Sequence, residues 1–135
     1  MTAGYSGTPL ARKLGLREGD RVALLGAPDG FETLLEPLPE GVTLLSRATA
    51  HLDVIVFFVT RRADVERRHA SLASRLTPAG MLWLAWPKRA SGVPTDVTEN
   101  VLREVILPSG MVDTKVCAID ETWSGLRFVR RKELR

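Results

Sequence analysis

Apolar positions in this chain fall into short continuous runs, separated by stretches with helical spacing. Val22 to Leu25 is the first run. A Gly-Ala-Pro-Asp-Gly turn follows, and Phe31-Glu32-Thr33-Leu34-Leu35 then opens a helical pattern. A strand, a glycine-bearing turn and a helix make the first half of a β-α-β unit. Pro37, Pro39 and Glu40-Gly41 break the pattern, and Val42 to Leu45 predicts a second short strand. Asp53 to Thr60, DVIVFFVT, is the strongest strand; it is β-branched and aromatic on both faces, as a strand covered on both sides should be. Arg61 to Leu76 predicts a helix with Val65, Leu72 and Leu76 as its inner stripe and Arg61, Arg62, Glu66, Arg67, Arg68 and Arg75 largely outside it.

Thr77 to Gly80 then predicts a turn, and Met81 to Trp86 a buried strand closed by Pro87. Trp83 and Trp86 stand three apart on it and point to opposite faces. After the polar loop Lys88 to Asp96, either Thr95 or Asp96 is placed to cap a helix over Val97 to Leu107, with Glu99 three residues beyond Asp96. Met111 to Ile119, a turn over Asp120 to Gly125, and Leu126 to Arg130 predict a closing β-hairpin. At the front of the chain, Met1 to Thr8 reads as a loosely held arm. Thr8-Pro9 reads as the cap and first residue of a short helix that Gly15 stops, with Leu10 and Leu14 on one face.

Strand–helix alternation ending in a hairpin is the layout of an α/β doubly wound sheet. The pattern divides the chain into an arm and short helix over 1–20 and one domain over 21–135. One join is awkward: only five residues, Ala48 to Leu52, separate Arg47 from the strand at Asp53. A parallel return normally takes a longer crossover, so the Val42 to Leu45 strand is either very short or pairs at an edge in another sense.

The totals narrow the class. Hydrophobic residues are 44% and charged residues 26% of 135, ordinary for a globular protein with a sizeable core. The net charge is +3, with 19 basic residues nearly matched by 16 acidic ones, which allows an anionic partner without calling for nucleic acid. Cys117 is the only cysteine, so no internal disulfide can form and a reducing cytoplasm is the expected setting. The first residues lack a basic segment followed by an apolar one, and the longest apolar run, Val54 to Val59, is too short to span a bilayer. His51 and His69 have no second ligand at metal spacing, so no metal site is expected. Cys117 reads as a structural cysteine, and Ser91-Gly92 lacks a nucleophile-elbow pattern.

The phrase Leu76-Thr77-Pro78-Ala79-Gly80-Met81-Leu82-Trp83 is similar to the helix-to-strand turn late in the S-adenosylmethionine-dependent methyltransferase fold. With the closing hairpin, the stretch Arg21 to Arg130 resembles that Rossmann-like fold. The resemblance implies a three-layer, mostly parallel sheet with a C-terminal antiparallel hairpin, shortened by about one β-α unit. Whole phrases also resemble a small uncharacterised bacterial family, domain-of-unknown-function family 3052. They are Tyr5-Ser6-Gly7-Thr8-Pro9-Leu10, Leu24-Leu25-Gly26-Ala27-Pro28, Ala85-Trp86-Pro87-Lys88, Ser91-Gly92-Val93-Pro94-Thr95-Asp96 and Asp120-Glu121-Thr122-Trp123-Ser124-Gly125. That family implies no activity.

Against the methyltransferase pattern, Gly26, Ala27, Pro28, Asp29 and Gly30 are the candidate cofactor loop. Pro28 removes a backbone donor from its middle. Ser46-Arg47 stands where the fold places a carboxylate for the ribose, and Val59-Thr60-Arg61-Arg62 where the amino-methylating branch has an Asp or Asn, two prolines and an aromatic. The shortening before Asp53 also removes a strand and helix that normally wall the adenine. S-adenosylmethionine in its usual pose is therefore disfavoured.

The strand ends offer a different ligand set: Arg61, Arg62, Lys88, Ser91, Thr95, Asp96, Glu121 and Trp123. Cations at such an edge suit a small anion such as a phosphate or carboxylate, aided by the positive end of the helix near Phe31. The alternative is a solvated face whose charges pair with one another. Trp123 either packs onto the core, the favoured reading, or offers a stacking surface. The leading expectation is a non-catalytic or weakly catalytic domain that binds a small anionic ligand. A divergent methyltransferase and an interaction module, such as a homodimer formed through an exposed sheet edge, are the alternatives.

Overall fold

The computed structural model describes residues 7–135, so most of the arm expected over Met1 to Thr8 lies outside the described residues. Six strands form one sheet: β1 (Arg21–Leu25), β2 (Thr43–Leu45), β3 (Leu52–Phe58), β4 (Leu76–Pro87), β5 (Met111–Ala118) and β6 (Trp123–Arg130). Their spatial order is β2-β1-β3-β4-β6-β5. The first four run parallel, and β6 and β5 add an antiparallel hairpin beside β4. The helices are α1 (Leu10–Lys13), α2 (Phe31–Leu34), α3 (Arg62–Ala73) and α4 (Glu99–Ile106).

Alternating side chains divide the core into two faces. Ala23, Leu25, Ile55, Phe57, Leu82, Leu84 and Trp86 meet Val65 and Leu72 of α3 and Leu102 and Ile106 of α4. Val22, Leu24, Val54, Val56, Trp83 and Ala85 face the other way, onto Leu14, Phe31 and Leu35. Helices on both faces of a mostly parallel sheet give the three-layer methyltransferase-like fold. The two tryptophans of β4 lie on opposite faces, both buried, and the Trp83 indole N–H donates to the Leu14 carbonyl at 2.9 Å. That bond ties the end of the first helical turn to the middle of the sheet.

The awkward join resolves through brevity. β2 has three residues and pairs parallel with β1 at the sheet edge. So short a strand leaves little distance to retrace, and residues 46–51 return the chain to the start of β3 without a helix.

Several boundaries differ from expectation. Leu76 is not helical: α3 ends at Ala73, and Leu76 opens β4 opposite Leu52. It stays buried, so its apolar character fitted either element. The Thr77 to Gly80 turn is an irregularity inside β4, where Leu76 to Met81 oppose only Leu52 to Val54. Gly80 permits it, since a Cβ there would stand 2.9 Å from Leu76 Cβ and 3.1 Å from the Leu52 carbonyl oxygen. The last helix is capped by Thr98, whose side chain accepts from Val101 N–H at 3.1 Å, because Thr95 and Asp96 are engaged elsewhere. The closing turn is shorter than expected. Asp120 Oδ1 accepts both Thr122 N–H and Trp123 N–H at 2.8 Å, so β6 begins at Trp123 rather than Leu126. At the front, the first helix starts after Pro9, not Thr8.

Candidate functional site

The parallel strands run the same way, so Leu25, Leu45, Phe58 and Pro87 end at one edge of the sheet, a rim staggered by up to two residues. The antiparallel β6 starts at the same rim, where Trp123 stands opposite Pro87. Gly26 to Gly30, Arg47, Thr60 to Arg62, Lys88 to Asp96 and the hairpin turn thus share one edge of the sheet.

The two halves of this rim differ. Over β1 and β2 lies a cleft of about 360 Å³ lined by Leu24, Gly26, Ala27, Glu32, Leu44, Leu45 and Ser46. Its floor is leucine. Its polar residues are Ser46 and the exposed Glu32, and Gly26 and Ala27 bring the glycine turn to its lining. Glu32 reaches it because α2 is a single turn that starts straight after Gly30. With four residues, α2 has too few aligned peptide units to supply the anion-binding end expected from the sequence.

Over β3, β4 and β6 the rim is closed. Phe31, Phe58 and Trp123 stack edge to face, with ring centroids 4.9 Å and 5.1 Å apart. Phe31 and Phe58 are buried and Trp123 half-buried, so the tryptophan caps the core, the favoured of its two readings. Gly26 adjoins this stack: at φ +69, a Cβ on it would be 3.1 Å from the Phe58 carbonyl oxygen. Outside the stack, the polar loop is pinned down. The Thr95 hydroxyl donates to the Thr60 carbonyl at 2.7 Å and accepts from Val97 N–H. Asp96 N–H donates to the same carbonyl at 3.3 Å. Asp96 Oδ1 accepts Arg62 N–H at 2.7 Å, in the first turn of α3. Lys88 N–H donates to the Thr122 carbonyl at 2.7 Å.

The expected ligand residues therefore separate. Gly26 and Ala27 line the cleft, whereas half-buried Pro28 and exposed Asp29 and Gly30 lie outside its lining. Arg62 faces away, bonded to Glu66 at 3.1 Å and Glu104 at 3.0 Å, which raise its pKa above the ordinary guanidinium value. The Ser91 hydroxyl donates to the Lys88 carbonyl at 2.7 Å and closes a local turn. Thr95 and Asp96 are engaged in the loop itself. Arg61 and Glu121 are exposed and Lys88 half-exposed, and among the described residues none of these three is in an ion pair.

Glu32 and Ser46 were not in the expected set. The sequence signal for Glu32 is a first-turn carboxylate two residues beyond the glycine turn; Ser46 stands out only as the lack of a carboxylate. Cys117 is half-buried on β5, and burial pushes its thiol pKa up despite Lys13, Lys115 and Arg127 nearby. No helix among the described residues is long and apolar enough to cross a membrane.

No family model matches the chain, and no curated protein is similar to it in sequence. Solved structures are similar in fold. A SAM dependent methyltransferase from Aquifex aeolicus superposes with a TM-score of 0.62 at 15% identity, over 87% of this chain and 85% of that one. Magnesium protoporphyrin IX methyltransferase from Synechocystis PCC 6803, solved with SAM bound, gives 0.60 at 12% identity, over 90% and 74%. A Bordetella parapertussis protein described as a candidate for export gives 0.63 at 13% identity, and this chain spans 65% of its length. At such identities the likeness carries the fold: a methyltransferase-like, Rossmann-like α/β sheet.

Proposed function

We propose that this chain is a small-molecule-binding, methyltransferase-like domain whose ligand has a nucleoside body seated in the β1–β2 cleft. The observation that carries the reading is that cleft. It offers an apolar leucine floor for a planar base, glycine-turn backbone at close range, and a carboxylate and a hydroxyl for sugar hydroxyls. Its volume is near the low end for ligand pockets, about 300 Å³, which suits a nucleoside better than a larger cofactor. Among the described residues, the only charged group lining it is a carboxylate, which favours donor-rich ligands over anions inside the cleft.

S-adenosylmethionine, the cofactor that the fold implies, fits this surface in part. Its nucleoside end matches the cleft. The rest carries a carboxylate, and no cation lines the cleft to receive it among the described residues. The phrases quoted along the chain support a reading of it as a member of domain-of-unknown-function family 3052.

Isothermal titration with adenosine and with inorganic phosphate tests the reading. Adenosine should bind, and Glu32→Gln should weaken it; no heat from any nucleoside overturns the proposal. A small anion on Arg61 and Lys88 is the second reading, favoured by the absence of ion pairs on either side chain among the described residues. Phosphate binding that Arg61→Ala with Lys88→Ala abolishes, without adenosine binding, would establish it.

A further inference from the structure

A second cavity lies toward the amino ends of β1 and β2, away from the carboxyl rim. It measures about 490 Å³ and is formed by the α1 segment and the loop that leads from α2 to β2. Ala11 and Leu16 from the first, and Pro37, Leu38 and Pro39 from the second, supply its apolar lining. Ala11 and Leu16 are buried in the core face that holds Leu14 and Phe31, and Leu38 packs against that face. Pro37 and Pro39 carry no N–H, so the loop presents few backbone donors to the cavity. Hydrogen bonds join the two segments just before the strands: Gly19 N–H donates to the Glu40 carbonyl, and Thr43 N–H to the Asp20 carbonyl, both at 2.9 Å. The bond from the Trp83 indole to the Leu14 carbonyl fixes the α1 segment to the sheet. The cavity is therefore held open by the fold itself.

Its charge is opposite to that of the β1–β2 cleft, with which it shares no lining residue. The charged residues that line it are Arg12 and Arg17, and no carboxylate does. Both arginines are exposed, and among the described residues neither guanidinium has an ion-pair or hydrogen-bond partner. Glu18, Glu36 and Glu40 adjoin lining residues in sequence, but none of them lines the cavity. A mostly apolar hollow with a few charged groups is the usual form of a small-molecule site. Guanidinium groups match carboxylate and phosphate oxygens through paired N–H···O bonds. We propose that this cavity binds a small amphiphilic anion, with an apolar body against Leu16, Leu38 and the prolines and a carboxylate or phosphate head on Arg12 and Arg17. The site is independent of the nucleoside reading of the cleft.

Isothermal titration of the full chain with octanoate, octyl phosphate, octan-1-ol and acetate tests it, at concentrations where the octyl compounds stay monomeric. One of the two octyl anions should bind about tenfold or more tightly than octan-1-ol, which lacks the charge, and than acetate, which lacks the body. The tighter of the two names the head group. With Arg12→Gln and Arg17→Gln together, the preference over octan-1-ol should fall about tenfold or more, while adenosine binding stays at the wild-type value. Both positions are exposed, so the double variant should keep its fold, checked by circular dichroism. Equal binding of the octyl anions and octan-1-ol overturns the proposal. So does anion binding that the arginine changes leave intact, or no binding of any octyl compound. None of these three results bears on the nucleoside reading, which fails only if nucleosides do not bind.

Discussion

The two halves of the carboxyl rim are built from the same kind of strand end, yet one is open and the other closed. Over β1 and β2 the covering elements are meagre: a four-residue helix, a three-residue edge strand and a loop that returns directly to β3. Over β3, β4 and β6 the cover is supplied by the pinned loop before α4 and the turn of the closing hairpin. The open side owes its shape to the brevity of the chain between β2 and β3, which holds no helix to cover the strand ends. The closed side owes its shape to residues far apart in sequence, since Phe58 and Trp123 are brought together only by the β4–β6 pairing. Cleft and seal thus have separate origins, one in the short chain before β3 and the other in the β4–β6 pairing.

If the closed half is a structural seal, its removal should damage the fold more than any change in the open half. Phe58 is buried among both neighbouring rings. Phe58→Ala should cost about 3–5 kcal/mol of unfolding free energy, read from the urea midpoint at unchanged slope. A loss of about 1 kcal/mol or less would mean that the stack is a loose cover.

Gly26 sits where the halves meet, so it should report on both. Its φ of +69 disfavours any side chain, and β-branching worsens the strain. Gly26→Val should destabilise by about 2–3 kcal/mol and abolish adenosine binding. Retained binding in a folded variant would separate the glycine turn from the cleft.

Most of this contrast could be read from the sequence only on one side. The strands Val22 to Leu25 and Asp53 to Thr60 announce themselves by unbroken apolar runs, because a sheet covered on both faces has no polar side to show. The shortening before Asp53 was likewise visible as a count of residues. Which side chains meet at the rim was not. Asp96 looked like a cap for the helix after it, and instead its carboxylate serves the helix before it through Arg62 N–H. Local spacing cannot tell these apart, since both helix starts offer the same unsatisfied donors. Leu76 failed for a related reason: its burial is shared by both elements it could join. The cations drew attention because charge is conspicuous in a sequence, whereas the leucine floor of the cleft looks like any other core.

The pinned loop allows a gentler test of the seal. Asp96 is exposed, so its removal takes away one hydrogen bond to the α3 terminus and little packing. Asp96→Ala should cost about 1 kcal/mol, the usual loss at a helix N-terminus, and leave adenosine affinity unchanged. A change in affinity would show that the loop reaches the cleft and that the halves are coupled.

The smallest expected effect on the fold is also the sharpest separation of the two sides. Glu32 is exposed and forms no ion pair among the described residues, so Glu32→Gln should move stability by no more than about 0.5 kcal/mol. A carboxylate accepting hydroxyl hydrogen bonds from a ligand is worth about 1.5–3 kcal/mol, so adenosine affinity should fall about tenfold or more. The amide keeps the shape and one acceptor, so a steric role would leave affinity intact. Titrating 2′-deoxyadenosine alongside sharpens the result. If Glu32 holds the sugar, the wild type should discriminate against the deoxy compound and Glu32→Gln should largely cease to. Equal loss on both ligands would place the carboxylate against the base, while no loss on either would leave Glu32 without a part in binding.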